Sequence, residues 1–240
     1  MPKVYGQKEK DSAITHVLDL MFTGRLRGGD RVDRNRIAAE LGISRVPIQE
    51  ALVQLESDGI LSTRYHRGAF IERFDPDVVR EHYEVFGVLS GMASSRAALG
   101  PTPRLLTELQ RLLELMRVEA DSDAFIEHTW EFRRTINYDY AGPRLRAAMR
   151  SSQGFMPRAF WLGYQDNRPR MLPFYEQEYR AIRRREPDAA RAVCADRSAM
   201  MAEVLISELV RRGVFSADDD DVPDDTADDM ADDTAAGART

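Results

Sequence analysis

The stretch that most constrains this chain is "DRNRIAAELGISRVPIQEALVQLESDGI", Asp33 to Ile60: two helix-period segments, one glycine turn, and a proline inside the second segment. Ile37, Ala38 and Leu41 give the first helix its apolar stripe, and Gly42 closes it. After a turn of two or three residues, Ser44 is suited to an N-cap, so the second helix begins at Arg45 and Pro47 falls at its third position. A proline there forfeits no hydrogen bond, because first-turn N–H groups lack an intrahelical acceptor. The expected cap is Ser44 to the N–H of Val46, since Pro47 has none to offer. The helix so begun buries Ile48, Ala51, Leu52 and Leu55, spaced i, i+3, i+4 and i+7. Arg45 and Gln49 lie one turn apart on a different face.

Ile14, Val17, Leu18 and Met21 mark a preceding helix that Gly24 stops. Downstream, "GILSTRYHRGAFIERF" predicts two short strands, Leu61–Tyr65 and Ala69–Arg73, around a His66-Arg67-Gly68 tip. A tight helix pair with polar residues on the first turns of its second member, followed by such a β-wing, reads as a DNA-binding head. The expected DNA-facing residues are Arg34, Asn35 and Arg36 on the first helix of the pair, with Ser44, Arg45, Val46 and Gln49 on the second. His66, Arg67 and Gly68 form a basic tip suited to the minor groove. Arg25, Arg27, Arg31, Arg34, Arg36, Arg45, Arg64 and Arg67 outnumber nearby acids and supply phosphate contacts.

The texture changes at "FDPDV", where Asp75 precedes a helix-opening Pro76. From 76 to 215 the chain reads as six long helix-period segments divided by proline and glycine, with no strand pattern. The fold class expected is therefore mainly α: a winged helix-turn-helix over 1–74 and an all-helical antiparallel bundle over 76–215. In the 76–99 helix, Val78, Val79, Val85, Val88, Leu89 and Met92 are expected in the core.

Charge is unevenly spread. Residues 216–240 hold ten Asp against one Arg, so a formal net charge of −6 leaves the remaining body at +3. So acidic a run, without aromatics, reads as a disordered solvated tail; a sharper reading makes it a phosphate mimic competing for the basic face. The lone Cys194 excludes a disulfide framework. The N-terminus lacks the apolar core of a signal peptide, and no apolar run approaches the ~20 residues of a membrane span, so a soluble cytoplasmic protein is expected. No GxSxG, HExxH, glycine-rich phosphate loop or Cys/His set is present, which argues against an enzyme.

"GRLRGGDRVDRNRIAAELGISRVPIQEALVQLESDGILSTRYHRGAFI" resembles the winged helix-turn-helix of the GntR family of bacterial transcriptional regulators. "PDVVREHYEVFGVLSGMASSRAA", "EFRRTINYDYAGPRL" and "YEQEYRAIRRREPDAARAVCADR" resemble segments of its FadR-type effector domain (FCD). The resemblance covers about residues 12–210. It implies a homodimer on a palindromic operator in double-stranded DNA, most simply a repressor, controlled by a small molecule. Members usually face the operator with three arginines; here Arg45 matches one, while Asn35 and Gln49 take the other two places, and these amides suit adenine where arginine suits guanine.

Many FCD domains hold a divalent metal through one Asp and three His. The matching positions here are Thr129, Arg133, Tyr175 and Arg197, none a customary ligand, and two are permanent cations. Phe86 and Ser90 replace the usual Arg and Glu of the first bundle helix. His16, His66, His82 and His128 show no metal-ligand spacing. The resemblance thus implies no metal and no cofactor, and a cavity lined by Arg133, Tyr175, Arg197, Thr129, Phe86 and Trp130, with Phe132 nearby. Two guanidiniums inside a bundle need a counter-charge, either a bundle acid such as Glu178 or an anionic ligand. An organic acid or acyl-type effector is the expectation.

Overall fold

The computed structural model describes residues 5–119, 121–153 and 168–216. The expected acidic tail lies outside these residues except for Ser216, as does the second half of the helical segment expected to run on past Gln153. The head comprises α1 (Tyr5–Phe22), α2 (Arg34–Leu41), α3 (Arg45–Ser57), β1 (Leu61–Arg64) and β2 (Gly68–Ile71). The bundle comprises α4 (Pro76–Leu99), α5 (Pro103–Val118), α6 (Ser122–Tyr140), α7 (Pro143–Gln153), α8 (Arg168–Arg184) and α9 (Pro187–Arg211). Among the described residues no helix is long and apolar enough to cross a membrane.

The head is built on the expected apolar pattern. Val17, Leu18 and Met21 of α1 are buried against Ile48, Ala51, Leu52 and Leu55 of α3 and Ile37 of α2. Gly42 ends α2 at φ 64°, the left-handed conformation a tight turn into α3 requires. Two local expectations change. Ser44 occupies the N-cap position of α3 with extended backbone but makes no side-chain cap bond. The working cap is Asp33 at the start of α2, whose carboxylate accepts from the N–H groups of Asn35 and Arg36 at 2.9 and 3.1 Å.

The wing is also shorter than expected. β1 and β2 pair antiparallel from Leu61 opposite Ile71 to Arg64 opposite Gly68, so the tip is Tyr65-His66-Arg67 rather than His66-Arg67-Gly68. His66 takes φ 58° there, and Gly68, at φ 103°, already belongs to the ladder. A further extended segment completes the sheet: Arg31 bridges Phe70, Val32 N–H donates to Ala69 O, and Ile71 N–H donates to Asp30 O, both at 2.9 Å. That pairing ties the start of α2 to the wing.

In the bundle, Asp75 caps α4 through the N–H of Val78 at 3.0 Å, with Pro76 in the first helical position. The face α4 turns inward is made of small residues: Gly87, Ser90, Gly91, Ala93, Ser94, Ala97 and Ala98 are buried. They let α9 approach closely; a Cβ on Gly87 would stand 3.0 Å from Ser198 Cβ, and one on Gly91 2.9 Å from Arg191 Cγ. Of the core expected here, only Val79 is fully buried. Val85 and Val88 are 47% and 54% exposed, on the side away from the bundle, because close α4–α9 packing selects small side chains inward and leaves the large ones outside. The chain then returns to the head: Phe74 packs against Phe22 of α1 and against Phe215 beyond α9, with ring centroids 5.3 and 5.1 Å apart.

Candidate nucleic-acid interface and ligand cavity

The N-terminal turns of α2 and α3 and the extended segment beside the wing converge on one concavity of about 800 Å³. Arg31, Arg34, Asn35, Arg45, Val46, Gln49 and Gly68 line it. Arg34, Asn35, Ser44, Arg45, Val46 and Gln49 are all exposed, as a base-reading surface must be. Arg34 does not stand alone: its Nη1 donates to Gln49 Oε1 at 2.7 Å. Arg36 turns away, its Nε bonded to Glu40 at 2.8 Å, and Glu40 also receives His16 at 2.8 Å. At the wing, His66 and Arg67 are exposed at the tip, and the Arg64 guanidinium lies 4.7 Å over the Phe70 ring. Arg31, which the sequence marks only as one of several basic side chains, enters the concavity because of the bridge to Phe70. Nothing in the residue pattern signals that bridge.

The second site lies in the bundle, a cavity of about 590 Å³ within the range of small-molecule pockets. Phe86 comes from α4, Thr129, Trp130 and Arg133 from α6, Tyr175 from α8 and Arg197 from α9, so all six expected residues meet there. Phe132 is instead fully buried core, edge-on to Tyr175 at 5.2 Å between ring centroids. The sequence reading missed α7, which contributes Arg146, Met149, Arg150 and Ser152, and also His82, Tyr138 and Met201.

The two cavity-floor arginines share a single counter-charge. Glu178 is fully buried; one carboxylate oxygen takes Arg133 Nη1 and Ser94 Oγ, and the other takes Arg197 Nη1 at 2.5 Å. Ser94 Oγ and Asn137 Oδ1 accept further Arg133 bonds at 3.0 and 3.2 Å, and Arg197 lies 4.6 Å over the Tyr175 ring. Burial alone would raise the Glu178 carboxyl; the guanidiniums of Arg133 and Arg197 and the Ser94 hydroxyl overcome it and hold it down at about 2. The same burial works against the Arg197 charge, and Glu178 keeps it protonated. Burial pushes the Cys194 thiol up and favours its neutral form. Arg133 Nε and the hydroxyls of Ser90 and Ser198 are buried without a hydrogen-bond partner among the described residues.

A divalent metal does not fit this donor set. The Thr129 hydroxyl donates to Ile126 O at 2.7 Å, Tyr175 stacks beneath a guanidinium, and Arg133 and Arg197 are cations closed around Glu178. Among the described residues no three His, Cys, Asp or Glu side chains come together, and His128 faces Glu119 at 3.7 Å.

An exposed reading surface on a winged helix-turn-helix, joined to a helical bundle with its own cavity, defines a DNA-binding transcriptional regulator. Residues 10–71 match the bacterial regulatory proteins of the gntR family, and residues 81–197 match the FCD domain. The chain belongs to the GntR family and carries an FCD domain; it is a regulator, not an enzyme. An HTH-type transcriptional regulator of Mycobacterium tuberculosis strain H37Rv is 58% identical over 223 residues, covering 93% of this chain and 91% of that one. The gluconate operon transcriptional repressor of Bacillus licheniformis is 28% identical over 178 residues, covering 70% and 73%. Among solved structures, E. coli McbR/YncC shares the fold with a TM-score of 0.60 at 22% identity, over 87% of this chain and 99% of that one.

Proposed function

We propose that the protein is a ligand-responsive repressor that binds a palindromic operator as a homodimer and is released by a small organic acid or acyl-type effector. The observation that carries this reading is the pairing of two separate sites in one chain: a basic concavity at the N-termini of α2 and α3, and an aromatic-walled cavity in the bundle. The repressor sense rests on the gluconate operon repressors among its relatives. The homodimer rests on α4, whose outward face exposes Val85, Val88 and Leu99 beside the half-buried Met92. Such a stripe on a soluble helix needs a partner, and a second copy brings a second reading head. The cavity works without a metal, its floor closed by the Arg133–Glu178–Arg197 triad and its walls by Phe86, Trp130 and Tyr175.

Selection of binding sites from random duplex DNA, followed by titration of the selected site, tests the DNA half. An inverted repeat is the expected product, and Arg45→Ala should lose about 1–3 kcal/mol on it if the guanidinium makes a bidentate base contact. Recovery of no sequence preference would refute operator recognition.

A further inference from the structure

The charges around the bundle cavity are not evenly satisfied. Arg133, Arg134, Arg146, Arg150 and Arg197 line it against Glu127 and Glu131, with Glu178 beneath. Arg133 and Arg197 share Glu178, and Arg134 pairs with Glu131 at 2.7 Å. That leaves Arg146 and Arg150, which have no carboxylate in ion-pair distance among the described residues. They are four residues apart on α7, so both heads rise from one helix face, with the buried Met149 between them in the lining. Two like charges on adjacent turns repel, and an anion placed between them removes that repulsion while gaining a forked contact from each.

The residue after Arg150 points elsewhere. Ser151 Oγ donates to Asp58 Oδ1 at 2.7 Å. Asp58 is the C-cap of α3, its backbone N–H on Gln54 O and Glu56 O, and its carboxylate holds the Gln54 amide at 3.1 Å through each oxygen. One short stretch of α7 therefore lines the cavity through Arg146, Met149, Arg150 and Ser152 and touches the end of the recognition helix through Ser151. Among the described residues α7 is also lightly anchored: Leu145 and Met149 are its buried side chains and α4 its main support. A short helix with little buried surface is the element a bound ligand displaces most easily.

We propose that the effector is a carboxylate with an apolar body, its anionic group held by Arg146 and Arg150, and that α7 passes its presence to the DNA-reading head by withdrawing Ser151 from Asp58. The assignment rests on the reading of the cavity as the effector site. The apolar body lies against Phe86, Trp130 and Tyr175; beneath them Arg133 and Arg197 share one carboxylate, which leaves a net charge of +1 but engages both guanidiniums, whereas Arg146 and Arg150 have no carboxylate partner among the described residues. The Phe22–Phe74–Phe215 contact keeps the head attached to the bundle, so movement of α7 tilts α3 about that contact and does not release the domain.

The test uses the full chain and a panel of straight-chain C4–C10 and phenylalkanoic acids, each beside its own primary amide. Calorimetry without DNA should show at least one acid binding tenfold or more tighter than its amide. Arg146→Gln/Arg150→Gln should erase that preference, and Arg146→Lys/Arg150→Lys, which keeps both charges, should retain most of it. Ser151→Ala should bind the acid as wild type does, yet its operator affinity should no longer change when the acid is added. Acids no better than amides throughout the panel, or a preference that survives the double Gln substitution, would overturn the assignment of the anion site. An acid response of Ser151→Ala equal to wild type would overturn the relay. Operator binding by the ligand-free wild type is measured separately, so its absence strikes the regulator reading alone and leaves the calorimetric result standing.

Discussion

Arg34 Nη1 donates to Gln49 Oε1 at 2.7 Å, so an exposed side chain on the first turns of α3 is held by a cation from α2. A glutamine acting alone reads adenine with both amide atoms. With its oxygen engaged by Arg34, the pair presents the amide N–H groups and the remaining guanidinium N–H groups, a donor-rich edge that suits the N7 and O6 acceptors of guanine. Arg34→Ala and Gln49→Ala should therefore change base preference at the same operator position. A double-mutant cycle on the selected site should give a coupling of about 1 kcal/mol. Additive losses at two different positions would show that the two side chains read independently.

The two heads of information in this sequence, apolar spacing and turn residues, were enough for the winged head and for most of the helix boundaries. Ile48, Ala51, Leu52 and Leu55 are buried as their spacing requires, and Asp75-Pro76 opens α4. Three things were not legible. The bridge from Arg31 to Phe70 depends on tertiary placement of a segment with no strand pattern of its own. Ser44 has the residue type of a cap, yet its hydroxyl makes no cap bond to α3, while Asp33 caps α2. The outward Val85 and Val88 look like core in a one-dimensional pattern, because a helix packed through glycine, serine and alanine inverts the usual sign of burial. In the cavity, the six positions implied by the family resemblance do meet, whereas α7 carried no signal beyond its arginines.

The buried triad makes a stability prediction. Glu178→Gln removes the charge that two buried guanidiniums share, and it should destabilise the protein by about 3–5 kcal/mol, read from urea denaturation at neutral pH. Glu108→Gln, which breaks an exposed i,i+3 pair with Arg111, should change stability by less than about 0.5 kcal/mol. Replacing the whole triad with apolar residues, Arg133→Met/Glu178→Leu/Arg197→Met, should recover most of the loss. Equal stability of Glu178→Gln and wild type would mean that water or another acid compensates the arginines.

His82 lines the same cavity, and burial holds its imidazole down at about 4. The folded protein keeps the ring neutral while the unfolded chain protonates it near 6.5. The contribution to stability is thus whole above pH 6.5 and is lost as pH falls towards 4, by up to about 3 kcal/mol. The Glu178 contribution, from a carboxyl held at about 2, is lost only below about pH 4.5, so the two limbs separate. Urea midpoints between pH 7.5 and 4.5 should fall for wild type and flatten for His82→Phe. Parallel profiles would assign the acid limb to another group.

The outward stripe of α4 makes the last prediction. Val85, Val88, Met92 and Leu99 fall within roughly one-quarter of the helix circumference, opposite the small-residue face that meets α9. Val85 and Val88 are 47% and 54% exposed, so neither is a core residue of the bundle. Val85→Glu/Val88→Glu should therefore leave the thermal midpoint of the folded chain at low concentration nearly unchanged. In a dimer the same pair would place four carboxylates in an apolar seam, with a desolvation penalty that no partner charge offsets. Sedimentation equilibrium should show monomer for the variant at concentrations where wild type is dimeric. Affinity for a two-half-site operator should fall by about 100-fold or more, since the second head no longer binds at the effective concentration set by the first. A single half-site, contacted by one head only, should be bound equally by both proteins. A variant that stays dimeric would place the interface on another face and leave the stripe to a different partner.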